Sequence, residues 1–376
     1  LWDIFCHVID NWGDLGVCWR LARQLALRGQ RVRLWADDPS ALAWMAPGAL
    51  QGQGALAKLS VYHWPRQQPE ALPPPVEPGD VLIEAFGCTI EPHWVQALQP
   101  AGRAGQVWIN LEYLSAEPWV ERCHGLPSPV LSGPLAGRCK WFYYPGFTPG
   151  SGGLLRENPA PAASDAPDTP DAPDTPDAHH ASAPPPTASS PGAPAATNLR
   201  LLLFCYAAPA LPALLADPAL AQAHWLVAAG RTQATWRSAQ CAPRTAACPA
   251  PRATLLPLLA QTEFDALLRT CNLNLVRGED SLVSALWAGR PLVWQLYPQH
   301  DQAHHAKLEA FLDWLEAPPC LRQFHRVWNG LHGAALPTLS PQRLRWWDEC
   351  SSAARQRLLQ QGDLVRRLLR FVAEKR

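Results

Sequence analysis

A chain of 376 residues is long enough for two ordinary domains, and with 48% hydrophobic residues and 18 Trp it can bury large cores. Its 32 basic and 32 acidic residues cancel, which argues against a broad grip on a polyanion and so against a nucleic-acid partner. Eleven cysteines with no C-x-x-C pair argue against a zinc site and fit reduced, buried thiols, as at Cys6, Cys205 and Cys271.

In chain order, "WDIFCHVI" (2–9) predicts a buried strand that runs straight into a polar loop. With no basic lead-in it lacks the pattern of a secretory leader. No apolar run is long enough to span a bilayer, so a cytoplasmic protein with no membrane partner is expected. "LGVCWRLARQLALRG" (15–29) predicts a helix: Val17, Leu21 and Leu25 share one face, Arg20 and Arg23 lie away from it, and Gly29 ends it. "RVRLWADD", "GDVLIEAFG" and "GQVWINLE" predict further strands. Strand, helix, strand in series implies a parallel sheet wrapped by helices, here over residues 1–157.

Residues 158–198 are almost wholly Pro, Ala, Asp, Ser and Thr and include "DAPDTPDAPDTPDA". They lack apolar bulk and backbone donors, and predict an extended linker insertion. A second α/β unit follows over 199–340. Its strands are "LRLLLFCYAA", "HWLVAAG", "NLNLVRG" and "PLVWQL"; its helices are "TEFDALLRTC", "SLVSALWAG" and "DQAHHAKLEAFLDWL". Residues 341–376 predict C-terminal helices that pack back on the first unit. Two such units make a cleft, and ligands in such sheets bind beyond the carboxyl ends of the strands.

At those ends the first unit offers "DNWGDLG", with Asp10 and Asp14 four residues apart and Gly13 and Gly16 to permit a tight turn. Two acids would repel a bare phosphate, so the loop suits a base or a polar acceptor, although Asp14 as a helix cap fits the same spacing. Glu84, Phe86, Asn110, Glu112 and Tyr113 gather on the same edge. An acidic rim of Asp10, Asp14, Glu84 and Glu112 would steer a cationic partner. In the second unit Asp280 or Ser281 is placed to cap a helix whose free amides attract a phosphate, and Glu279 to take a neighbouring sugar hydroxyl. Tyr206 and Phe264 offer flat faces for a base, or for core packing. His300, His304 and His305 provide too few ligands for a metal, and none is expected.

"WDIFCHVIDNWGDLGVCWRLARQLA", "WINLEYLSAEPWVERCHGLPS", "KWFYYPGFTPGSGGLLRE" and "VRGEDSLVSALWAGRPLVWQLYPQHDQAHHAKLEAFLDWL" together resemble the bacterial elongation factor P arginine rhamnosyltransferases, the EarP family. The resemblance spans nearly all the chain outside 158–198. It implies an α/β protein of GT-B fold, with an acceptor-side Rossmann-like domain, a nucleotide-sugar-binding one and a cleft between. It implies transfer of L-rhamnose from dTDP-β-L-rhamnose, with inversion and without a metal or other cofactor, to an arginine of elongation factor P. Asp10 and Asp14 take the family's catalytic positions, with Asp14 matching the general base and Asp10 expected to orient the guanidinium or shape the loop, and Glu279 matches an essential glutamate that contacts the nucleotide. Asp280 and Ser281 fall where the diphosphate is held; Tyr206, Gln261, Phe264 and Tyr297 fall in the donor pocket. The chain departs from the family pattern at Ala207, Ala208, Leu258, Ser284 and Gln295. Another nucleotide sugar or acceptor, or a binding module without catalysis, are the competing readings.

Overall fold

The computed structural model describes the chain apart from residues 10–11, 52–56, 65–78, 93, 96–104, 134, 158–198, 242–249, 298–302, 332 and 334. The predicted insertion, Asp10 and His300 therefore lie outside the described residues.

Seven strands form the first sheet: β1 (Trp2–Cys6), β2 (Val32–Ala36), β3 (Leu59–His63), β4 (Val81–Ala85), β5 (Val107–Leu111), β6 (Pro127–Pro129) and β7 (Cys139–Tyr143). Their order is β3-β2-β1-β4-β5-β7-β6, and every pairing is parallel except β6 with β7. The central strands β1 and β4 are buried along their whole length because helices and loops cover both faces, which is why they read as unbroken apolar runs. Asp3 is the exception in β1. Its fully buried carboxylate accepts from Arg33 Nε (2.5 Å), Arg33 Nη2 (2.7 Å) and the Trp35 indole (2.9 Å).

The second sheet holds β8 (Arg200–Leu203), β9 (His224–Val227), β10 (Arg252–Leu255), β11 (Leu273–Arg277) and β12 (Leu292–Gln295). Its order is β10-β9-β8-β11-β12, all parallel. Among the parallel strands of each sheet the order reverses once, between β1 and β4 and between β8 and β11. At such a point the loops beyond the strands diverge and leave a crevice.

The C-terminal helices divide between the two units. Helix Pro341–Leu359 puts Leu344, Trp347, Ala354 and Leu358 into the second core. Helix Leu364–Lys375 crosses back and puts Leu364, Val365, Leu368 and Val372 into the first, on one helical face. Asp363 anchors that crossing: one oxygen caps the helix at Arg366 N (3.0 Å) and the other accepts from Arg28 (2.8 Å). Among the described residues no helix is long and apolar enough to cross a membrane. The described cysteines are all free thiols, and Cys6, Cys205 and Cys271 are buried as expected.

Candidate active site

The loop after β1 leads into helix Gly13–Leu27. Trp12 precedes the helix in a left-handed conformation (φ 66°), with its ring edge-on to Trp44 at 5.5 Å. Phe86, after β4, is also left-handed (φ 57°). A non-glycine residue so held costs of order 1–3 kcal/mol, and both sit at the reversal point of the first sheet. The helix begins at Gly13, so Asp14 lies inside its first turn and is not the cap; an acid there is favoured by the helix dipole. The Asp14 carboxylate is 9% exposed and accepts from Ile9 N at 3.4 Å.

Beside it, Tyr113 stacks on Phe86 with ring centroids 4.9 Å apart. Burial, with the carboxylates of Asp14 and Glu279 nearby, pushes its phenol well above the usual range, so it stays protonated. Tyr113 thus senses an acid from each unit.

Across the cleft, β11 runs into helix Gly278–Ala288. By residue type the cap is expected at Asp280 or Ser281. The helix instead begins at Gly278, whose φ of 65° lets strand turn into helix without a loop. Arg277 occupies the cap position and makes no side-chain cap bond. Ser281 Oγ donates to Arg277 O and accepts from Arg277 N at 3.2 Å, so its hydroxyl is turned back onto the helix start. Glu279 and Asp280 occupy the first turn, where the leading amides have no partner one turn earlier.

Both acids reach into the first unit. Glu279 Oε2 accepts from Leu114 N (2.8 Å) and its Oε1 from Lys307 Nζ (2.5 Å). Asp280 Oδ1 accepts from Arg20 Nε (2.7 Å) and Oδ2 from Gln261 Nε2 (3.3 Å). Burial, with Asp265 close by, pushes the Asp280 carboxyl up although Arg20 opposes the shift. Arg20, expected off the face that Val17, Leu21 and Leu25 share, is nonetheless only 4% exposed, because the second unit covers it. The two units meet over Val17, Leu21, Leu114, Leu154, Leu155 and Val283, leaving a cavity of only about 30 Å³.

The aromatics expected in a donor pocket form a row at the carboxyl ends of β8 and β12. Tyr206 is 8% exposed, packs edge-on to Tyr297 at 5.5 Å and lies under the Arg277 guanidinium at 4.6 Å. Phe264 is half-buried and edge-on to Phe204 (5.5 Å), which takes the same guanidinium at 4.4 Å. Tyr297, 51% exposed, is the most open of the three. Gln295 is structural: its amide bonds Tyr206 N (2.8 Å) and Ala207 O (2.7 Å), fixing the loop that carries Tyr206.

Two rim acids separate. Glu112 is half-buried, bonded to Asn110 Nδ2 (2.6 Å), and burial pushes its carboxyl up. Glu84 is not on the rim at all. It is 1% exposed, accepts from Ile90 N (2.8 Å) and pairs with Lys140, whose ammonium lies 4.3 Å from the centre of the Trp108 ring. The side chain of a central strand points into one face of the sheet, and here that face is covered.

Lys307, Arg20 and Asp265 escaped the sequence reading because their partners are distant in the chain. The spacing of 28 residues from Glu279 to Lys307 carries no local signal. Among the described residues no cluster of three or more His, Cys, Asp or Glu is arranged to hold a metal; His304 and His305 pack edge-on to each other at 4.3 Å.

The family model described as "Elongation-Factor P (EF-P) rhamnosyltransferase EarP" matches residues 2–373. A protein-arginine rhamnosyltransferase of Pseudomonas aeruginosa is 40% identical over 99% of both chains. Its counterpart in Pseudomonas putida is 42% identical over 87% of this chain and 86% of its own. A solved structure concerning EarP-mediated arginine glycosylation of translation elongation factor EF-P superposes with a TM-score of 0.53 at 24% identity, covering 99% of this chain and 98% of the other. That likeness is one of fold: two parallel-sheet domains facing across a cleft, the GT-B arrangement.

Proposed function

The chain belongs to the elongation factor P rhamnosyltransferase family, whose members are protein-arginine rhamnosyltransferases, and on that premise we propose its full reaction. It moves L-rhamnose from dTDP-β-L-rhamnose, with inversion at the anomeric carbon, onto an arginine side chain of elongation factor P. The observation that supports this reading most is the placing of Asp14 at the reversal point of one sheet and the Gly278–Ala288 helix start at the reversal point of the other, with the two units joined there by Leu114 N donating to Glu279 Oε2.

The chemistry follows from the acceptor. A guanidinium is protonated at neutral pH and its nitrogen lone pairs are delocalised, so it attacks poorly unaided. A carboxylate can bind it through paired hydrogen bonds and take a proton as the new bond forms. In the proposed step an arginine nitrogen bonds to the anomeric carbon, the bond from that carbon to the diphosphate oxygen breaks with its electron pair, and the released proton passes to Asp14. Asp10, four residues earlier in the sequence, orients the guanidinium. Charge growing on the leaving diphosphate is met by the free amides at the Gly278 helix start, which need no reorganisation during reaction. Glu279 contacts the nucleotide part of the donor, Asp280 and Ser281 line the diphosphate end, and Gln261, Phe264, Tyr206 and Tyr297 wall the base. Glu112 and Tyr113 face the acceptor.

The test is the intact mass of elongation factor P after incubation with dTDP-rhamnose and either wild type or Asp14→Asn. One added deoxyhexose with wild type, and at least about 100-fold slower addition by the variant, is expected for loss of a general base. Equal rates would remove Asp14 from the chemistry. No addition by folded wild type with verified donor would reject the donor or the acceptor, and thermal-shift competition among nucleotide sugars would separate the two.

A further inference from the structure

Helix Gly13–Leu27 carries Asp14 at its start and presents Gly16 and Arg20, one turn apart, to the second domain. Arg20 makes a fork there. Its Nη1 and Nη2 donate to Asp265 Oδ2 (2.7 Å) and Oδ1 (2.9 Å), and its Nε donates to Asp280 Oδ1 (2.7 Å). Asp265 belongs to helix Gln261–Thr270 and Asp280 to helix Gly278–Ala288. A single planar guanidinium therefore fixes both donor-side helices to the helix of the proposed base. A lysine cannot make this three-bond fork.

Gly16 completes the contact. Gln261 Nε2 donates to its carbonyl at 3.1 Å. A Cβ built at Gly16 would lie 3.1 Å from Gln261 Nε2 and 3.3 Å from Asp280 Oδ2, closer than ordinary van der Waals separation. A glycine in a helix interior costs about 1 kcal/mol relative to alanine, so its presence there needs a reason, and the close approach of the two domains is one. The charge is unbalanced as well. Arg20 and Arg23 face Asp265, Asp280 and Glu157, with Glu157 bonded to both guanidiniums. Three buried or half-buried carboxylates around two cations are costly unless every bond is well formed, so a small separation of the domains is penalised steeply.

We propose that Arg20, seated by Gly16, is a positioning residue for glycosyl transfer: its fork onto Asp265 and Asp280 sets the distance and angle between the acceptor-side base and the donor-side helix starts. This rests on the transfer reaction proposed above. Arg20 touches neither reacting group. It acts through helix placement, and a misplacement of about 1 Å in a group-transfer site can cost on the order of 100-fold in rate.

The test uses the full chain as wild type, Arg20→Met, Arg20→Lys and Gly16→Ala. Four readouts are taken on each: kcat and KM for transfer, dTDP affinity by calorimetry, thermal unfolding, and radius of gyration by solution scattering. Arg20→Met is expected to lower kcat by roughly 100-fold while dTDP affinity stays within about 3-fold, with Arg20→Lys between the two. Gly16→Ala is the decisive variant, since it leaves no buried charge unpaired and favours the helix. It should keep or raise the melting temperature yet lower kcat by about 10-fold or more. Wild-type kcat in folded Gly16→Ala and Arg20→Met would overturn the proposal. So would dTDP affinity falling in step with kcat, because Arg20 would then only support the donor pocket. Should wild type transfer no rhamnose, the reaction reading fails, and scattering still decides: Arg20→Met must show a larger radius of gyration, and an unchanged one overturns the positioning role.

Discussion

Leu114 and Glu279 join the two domains through one bond: the backbone N–H of Leu114, just past the end of β5, donates to Glu279 Oε2 at 2.8 Å. The other oxygen of Glu279 is held by Lys307, and both charged side chains are mostly buried, 19% and 21% exposed. Glu279→Gln keeps an acceptor for Leu114 and loses the charge. Its donor kcat/KM should fall about 10- to 100-fold, the usual effect of removing a charge-assisted bond from a partly buried site. Lys307 acts through Glu279. Lys307→Met should thus cost little more in the Glu279→Gln background than Glu279→Gln costs alone, and additive losses in that double-mutant cycle would show that Lys307 has a separate function.

Glu84 separates core from rim. Its carboxyl is pushed up by burial, with Lys140 opposing. Glu84→Gln leaves Ile90 N bonded and deprives Lys140 of its counter-charge, so it should destabilise the protein by about 1–3 kcal/mol. Transfer per folded molecule should be unchanged, since Glu84 does not face the cleft. A higher acceptor KM in a folded Glu84→Gln protein would restore the steering role that the sequence suggested.

The contrast between Glu84 and Asp14 shows what the sequence could and could not convey. Apolar runs such as "WDIFC" and "LNLVR" stand out because both faces of a central strand are covered, and the loops beyond them follow directly. That is how the Asp14 loop and the Glu279 helix were found. The edge strands β10 and β6 carry no such run. β10 is exposed throughout, and β6 is "PSP", so both escaped the sequence reading, as did the hairpin joining β6 to β7. Helix Pro319–Trp328 was also missed, because two prolines hid its start, although proline suits a first turn. Ser281 looked like a cap by residue type, whereas Gly278 made the turn by its backbone. Whether a polar side chain on a strand faces solvent or a half-buried lysine 56 residues away is a matter of tertiary packing that local pattern does not encode.

His325 gives the fold an acid-side weakness. It is fully buried, accepts from Trp294 N at Nε2 (3.0 Å) and bonds Leu321 O through Nδ1 (3.1 Å), which requires a neutral ring. Burial holds its pKa down to about 4, against an ordinary 6.5. Between those values the unfolded chain binds the proton and the folded chain does not. Stability from this group is therefore complete above 6.5, falls as pH drops toward 4, and changes no further below; the whole loss is about 3 kcal/mol. His325→Gln can keep the bond from Trp294 without titrating. Urea unfolding of both proteins at about pH 7 and about pH 4.5 should show a smaller pH-dependent loss in the variant, and equal losses would exclude His325 as the cause.

Gly278 is where the start of the Glu279 helix depends on one missing methyl group. Its φ of 65° is disfavoured for any L side chain by roughly 1–2 kcal/mol, and a Cβ there would lie 3.3 Å from the Tyr206 hydroxyl. Tyr206 cannot retreat easily: it is buried, with Arg277 over its ring and its backbone tied to Gln295. The Gly278 carbonyl also accepts from the Trp294 indole at 2.8 Å, which pins the first turn from the other side. Gly278→Ala must therefore shift the start of the helix that carries Glu279, Asp280 and the leading amides. The expected result is about 10-fold weaker dTDP binding in calorimetry, while Gly13→Ala, which has open space around it, leaves dTDP binding within about 3-fold of wild type. If Gly278→Ala binds dTDP as wild type does, the helix start is not part of the donor site, and the diphosphate must be held elsewhere in the cleft.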